Sequence, residues 1–167
     1  MHDESGEGPL QAFWRNARRY AHLETVPGYF GRGPLELVVP PAWSFGADSE
    51  QADDLLALVL DGTKTATAGA LWDYETEGER LPRVGDLSII LDGSDLPRAL
   101  IRATSVEVVP FDQVPADHAA AEGEGDLSLA YWREVHQRFF TEVATHEHGF
   151  SEQMPVVLER FELLYGA

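Results

Sequence analysis

The stretch LDGTKTATAG, Leu60 to Gly69, joins a strong helical pattern to a threonine-rich run, and it holds one lysine among three threonines. A regular strand through it would send Lys64 and Thr67 to opposite faces, because their spacing is odd, and would set Thr63, Thr65 and Thr67 together. A bend or coil would bring Lys64 and Thr67 to one side, as residues three apart meet on a helical turn. Gly62 and Gly69 permit such a bend. The first reading is an ordinary helix-to-strand connection with a solvent-facing lysine; the second is a catalytic corner. On the residues alone the plain strand is the simpler reading.

Upstream, DSEQADDLLALVLDG predicts a helix. Asp48 is placed to cap it and Gln51 stands at the capping-box position. Ala52, Leu55, Leu56, Val59 and Leu60 form its apolar face, and Gly62 is placed to end it in the left-handed conformation. Another helix is predicted from Leu10, with Phe13, Trp14, Ala17 and Ala21 inward and Arg15, Arg18, Arg19 and His22 on a solvated face. The Gly- and Pro-rich segment 25–47 reads as an irregular connection with a short strand at Leu35–Val39. Its aromatics Trp43 and Phe45 are candidates to line a base-stacking pocket.

Downstream, LWDYETEGERLPRVGD reads as a loop or extended arm. Leu87–Leu91 and RALIRATSVEVV read as strands, and PFDQVPADHAAAEGEGD as a connection with room for a short helical turn. LSLAYWREVHQRFF is a helix capped by Asp126, with Leu129, Trp132, His136, Phe139 and Phe140 inward, and PVVLERFELLY is a closing strand. No βαβ rhythm appears, so an α+β fold is expected: a small mixed β-barrel with flanking helices.

The 167 residues suit one domain. No run is apolar enough for a membrane span, and the acidic start MHDESGEGPL lacks the pattern of a signal peptide. A cytoplasmic protein with a disordered leader at residues 1–9 is the simplest expectation. There is no cysteine, so disulfides, thiolate nucleophiles and cysteine metal sites are excluded. With 12 Lys and Arg against 29 Asp and Glu, the formal charge is −17. That disfavours extended nucleic-acid binding, which needs cations to neutralise phosphates. No DNA partner is expected, and a small, weakly charged ligand or a short RNA fits the field better.

No phosphate loop, dinucleotide fingerprint or serine-nucleophile motif is present. THEHGF reads as a surface His–Glu–His, His118 and His136 as isolated, and neither metal nor cofactor is expected. The remaining chemistry is Lys64, its threonines and the carboxylates Glu122 and Glu124. A lysine shielded from water can serve as a base, or, charged, stabilise an oxyanion. A neighbouring threonine hydroxyl can then become a nucleophile.

Taken in order, LVLDGTKTATAG, LPRVGD, RALIRATSVEVVPFDQV and HAAAEGEGDLSLAYWREVHQRFF resemble the ASCH domain family, from about Trp43 to Tyr165. The resemblance divides the chain into a leader (1–9), an N-terminal helix with its connection (10–42) and the ASCH domain (43–167). It implies a PUA-like barrel with a cleft beside it and a link to RNA or modified nucleosides. Some members are amidohydrolases that remove the acetyl group of N4-acetylcytidine; others are described as ribonucleases. In the deacetylating members a lysine and a threonine of the Gly–Lys–Thr motif and a downstream glutamate do the work. These fall on Lys64, Thr67 and Glu122, with Glu124 the rival carboxylate. Trp43, Phe45, Trp72, Glu124 and Arg83 are then the candidate substrate-binding residues. The alternatives are an RNA-binding module or ribonuclease, with Arg80, Arg83, Arg98 and Arg102 as a positive rim, and a nucleotide-sensing regulator without catalysis.

Overall fold

The computed structural model describes residues 7–21 and 38–167. Among them the helices and strands run α1 Pro9–Tyr20, β1 Ala42–Trp43, α2 Ser49–Leu60, β2 Ala66–Ala70, α3 Leu71–Glu77, β3 Leu87–Leu91, β4 Pro97–Pro110, α4 Ala116–Glu122, α5 Leu129–Glu142 and β5 Pro155–Gly166. The strands form one sheet in the order β1-β3-β4-β5-β2. β1 runs parallel to β3, and the remaining pairs are antiparallel.

The fold is α+β, as expected, but the barrel does not close. β1 and β2 are the sheet edges, and no ladder joins them. Both nonetheless border one cavity, Ala42 and Trp43 on one side and Thr67 to Gly69 on the other. The sheet therefore curls and leaves a cleft along its open seam.

The apolar runs of β3 and β4 follow from burial on both faces. Leu87, Ile89 and Leu100 pack against Phe13, Trp14 and Ala17 of α1. Ile90, Ala99 and Ile101 pack against Leu56 and Val59 of α2 and against Phe45. A third cluster joins Trp132 and Phe140 of α5 to Val156 and Leu158 of β5.

Local signals placed α2 correctly. Asp48 Oδ1 accepts from Gln51 N at 2.8 Å, the Gln51 side chain accepts from Ala47 N, and Gly62 has φ +84°. Three expectations need correction. The first half of LWDYETEGERLPRVGD is helix α3, ended by Gly78 in the left-handed region. It buries no residue fully and so carries no apolar stripe to read; Asp73 ties it down by accepting from Thr145 N and Oγ1 at 2.8 and 2.9 Å. The segment before α5 holds a full helix, α4, as well as a 3-10 turn at Phe111–Gln113. The cap of α5 is Ser128, which accepts from Tyr131 N, while Asp126 accepts from Ser128 N. Leu35–Leu37 of the strand expected at Leu35–Val39, His22 and residues 1–6 of the leader lie outside the described residues; Val38 and Val39 lie in no strand.

Candidate active site

The chain does not leave α2 as a flat strand. Thr63 N and Lys64 N both donate to Leu58 O at 3.0 Å, so the backbone curls back on the last turn, and β2 begins only at Ala66. Thr65 N donates to Ala121 O at 2.8 Å and Thr65 O accepts from Phe161 N at 3.0 Å, pinning the curl between α4 and β5. Gly123 completes the junction. It has φ +74°, and a Cβ there would lie 2.6 Å from Thr63 O. Only glycine lets the end of α4 come this close.

This junction buries Lys64, which is 2% exposed. Its Nζ donates to Ala66 O at 2.9 Å and Glu122 O at 3.4 Å. It stands 3.5 Å from Glu122 Oε1 and 3.4 Å from Glu124 Oε2, and 5.3 Å from the centre of the Phe45 ring. Lys64 and Thr67 line one cavity of about 430 Å³ with Phe45, Glu122, Glu124 and His136.

Glu122 is the best-partnered group of the site. Oε2 accepts from the Trp132 indole and faces His118 Nε2 at 2.9 Å. Oε1 faces Lys64 and, at 3.4 Å, His136 Nε2. Burial alone would disfavour its charge, but the hydrogen bonds from His118 and His136 and the charges of His136 and Lys64 outweigh it. They hold the carboxyl well below the usual range. His136 is stacked on Trp132 at 4.1 Å. Its Nδ1 faces the Trp132 carbonyl at 2.9 Å; that carbonyl can only accept, so Nδ1 carries a hydrogen.

The histidines read as isolated are thus not isolated. His118 lies one helical turn before Glu122, and His136 reaches it from α5. The i,i+4 spacing of His118 and Glu122 was the available signal for the first; nothing local announces the second. Glu122, Glu124 and His136 bring possible metal-ligating atoms within 4.8 Å of one another. The cation already among these groups is the Lys64 ammonium.

The other expected residues divide. Trp43 lies edge-on to Phe45, 4.7 Å between ring centres, and lines a second cavity that shares Phe45, Thr67 and Phe139 with the first. Trp72 lies in neither lining. It contacts His146 and His148, at 5.2 and 4.4 Å between ring centres. Arg83 is exposed in the turn before β3, outside both linings, where its backbone N donates to Asp86. The second cavity also holds titratable groups that the sequence did not flag, Tyr74, Glu79, Asp86 and Glu159.

The mixed five-stranded sheet with its flanking helices is a PUA-like α+β arrangement. Residues 41–165 match the ASCH domain, and the chain belongs to the ASCH domain family. It is similar to a crystal structure of an Enterococcus faecalis V583 protein of the DUF984 family, with 37% identity and a TM-score of 0.78 over 93% of this chain and 87% of that one. It is likewise similar to a crystal structure of an ASCH domain from Lactobacillus crispatus JV V101, with 32% identity and a TM-score of 0.77 over 99% of each chain. No curated protein matches. Among the described residues, no helix is long and apolar enough to cross a membrane.

Proposed function

We propose that this ASCH protein is an amidohydrolase acting on an acylated pyrimidine nucleoside of the N4-acetylcytidine type. The observation that carries the reading is the placement of Lys64 and Thr67 on one cavity, with Lys64 already compensated by Glu122 and Glu124. A lysine so compensated is poorly suited to hold a phosphate and well suited to move a proton. In the proposed step Lys64 Nζ gives one proton to Glu124 and takes that of the Thr67 hydroxyl. Thr67 Oγ1 bonds to the amide carbonyl carbon and the C–N bond breaks. Glu124 protonates the departing ring amine, and water then hydrolyses the acyl-threonine ester. Glu122, held ionised by its donors, is the fixed anion that orients Lys64 and not the proton donor. Glu124 suits that role better, with its side chain 21% exposed.

The charge arrangement weighs against the RNA-binding alternative. Arg80, Arg98 and Arg102 of the supposed rim are paired with Asp86, Asp92 and Glu162. The decisive experiment incubates the pure protein with N4-acetylcytidine and follows cytidine release. Turnover is expected, with Lys64→Met lowering it by about 10³-fold. A folded protein with no turnover sinks the substrate assignment. Binding of short RNA that weakens steeply with salt would favour the phosphate-contact alternative instead.

A further inference from the structure

The second cavity, about 670 Å³, continues the first along the seam of the sheet. Thr67 on β2 and Glu159 on β5 are register partners. Their side chains therefore stand side by side on one face, with Cβ atoms about 5 Å apart. Glu159 points into a cavity walled by Trp43 and Tyr74. Its carboxyl has no hydrogen bond or ion pair among the described residues. A largely buried carboxyl without a partner is costly and calls for one.

The titratable groups around it are Tyr74 of α3 and Glu79, Arg80 and Asp86 of the segment leading to β3. Arg80 donates to both oxygens of Asp86, at 2.9 and 3.3 Å. Burial, then the charge of Asp86, pushes Glu159 up to about 7. Burial and the surrounding carboxylates, Glu159 foremost, push the Tyr74 phenol up to about 12. The lining thus combines aromatic walls with acids, a surface that repels anions and accepts a neutral ring.

We propose that this second cavity is the base subsite of the cleft, where the Glu159 carboxyl pairs with the donor–acceptor edge of an uncharged pyrimidine-like ring and so presents the ring's substituent to Thr67. A protonated carboxyl offers one donor and one acceptor side by side, the complement of a ring nitrogen next to an exocyclic N–H. The proposal rests on the small-ring reading of the cleft, so binding is measured apart from turnover.

The probes are N4-methylcytidine, which keeps one exocyclic N–H and has no amide to hydrolyse, and N4,N4-dimethylcytidine, which has none. Each is titrated calorimetrically into wild type, Glu159→Gln and Glu159→Leu, below and above pH about 7. Wild type should bind the monomethyl probe about tenfold more tightly than the dimethyl probe, and more weakly at the higher pH. Glu159→Gln, which keeps a donor and an acceptor, should bind without the pH dependence. Glu159→Leu should lose about tenfold and the discrimination. Equal binding by wild type and a folded Glu159→Leu overturns the subsite, as does a wild type that binds neither probe. If Glu159→Leu does not fold, a Glu159→Gln titration that keeps the wild-type pH dependence overturns it. Discriminating binding without turnover of N4-acetylcytidine supports the subsite and sinks the hydrolase. Turnover with unchanged KM in Glu159→Leu leaves the hydrolase standing and sinks the subsite.

Discussion

Glu122 and Glu159 border the same cleft, yet they meet burial in opposite ways. Glu122 lies where the curl after α2 and the helices α4 and α5 converge, and they supply Lys64, His118, Trp132 and His136 to its two oxygens. Glu159 lies on a strand beside a cavity and has none of these. Burial raises both; only partners decide which stays ionised. One end of the cleft therefore holds a compensated charge, and the other a carboxyl raised by burial with no such compensation.

The contrast can be broken most severely at Glu122. Glu122→Ala leaves Lys64 buried beside polar groups without their acceptor, and should cost about 3–5 kcal/mol in urea unfolding. A loss below about 1 kcal/mol would refute the account of Glu122 as the organising anion. Its folded value lies below the unfolded 4.5, so its stabilisation is present above that pH and lost as pH falls through and beyond it. Glu122→Gln should flatten that acid limb.

Glu159 should behave in the reverse sense. Its folded value is raised from 4.5 to about 7, so the native state binds the extra proton between these values and wild-type stability declines as pH rises across them. Glu159→Gln should match wild type below 4.5 and exceed it by about 3 kcal/mol above 7. Thermal melts at the two extremes measure this. A variant less stable at alkaline pH would show that the charge of Glu159 is supported in the fold.

The smallest test compares two glycines with left-handed backbones. Gly62→Ala meets open space and should cost about 1 kcal/mol from conformation alone. Gly123→Ala adds a clash with the Thr63 carbonyl and should cost about 2 kcal/mol. It should also lower turnover, because Thr63 precedes Lys64. Equal costs would mean that the junction yields easily.

Much of the frame was legible in local pattern. The caps and apolar stripe of α2, the inner face of α5 and the β-branched runs of β3, β4 and β5 are signals spanning a few residues each. α3 was not legible, because bonds from Thr145 to the Asp73 carboxylate and a glycine stop hold it without an apolar stripe. The resemblance singled out Lys64, Thr67 and the two glutamates, yet it did not tell Glu122 from Glu124 or direct attention to Glu159. Trp72 looked as suitable for stacking as Trp43, and only the packing places it beside His146 and His148.

By itself, the sequence determined the α+β class, the helix that ends at Gly62, a net charge of −17, and a lysine and a threonine that share one side only if the chain bends between them. Whether it bends was decided by tertiary structure. The Leu58 carbonyl starts the curl locally, but the curl is pinned by the Ala121 carbonyl on Thr65 N and by the absence of a Cβ at Gly123 beside Thr63, contacts between distant parts of the chain. Partners decided the charge of each carboxyl in the same way. Periodicity records which face of an element is buried, but not which groups from distant elements share that burial, and a buried carboxyl is ionised or neutral according to its neighbours.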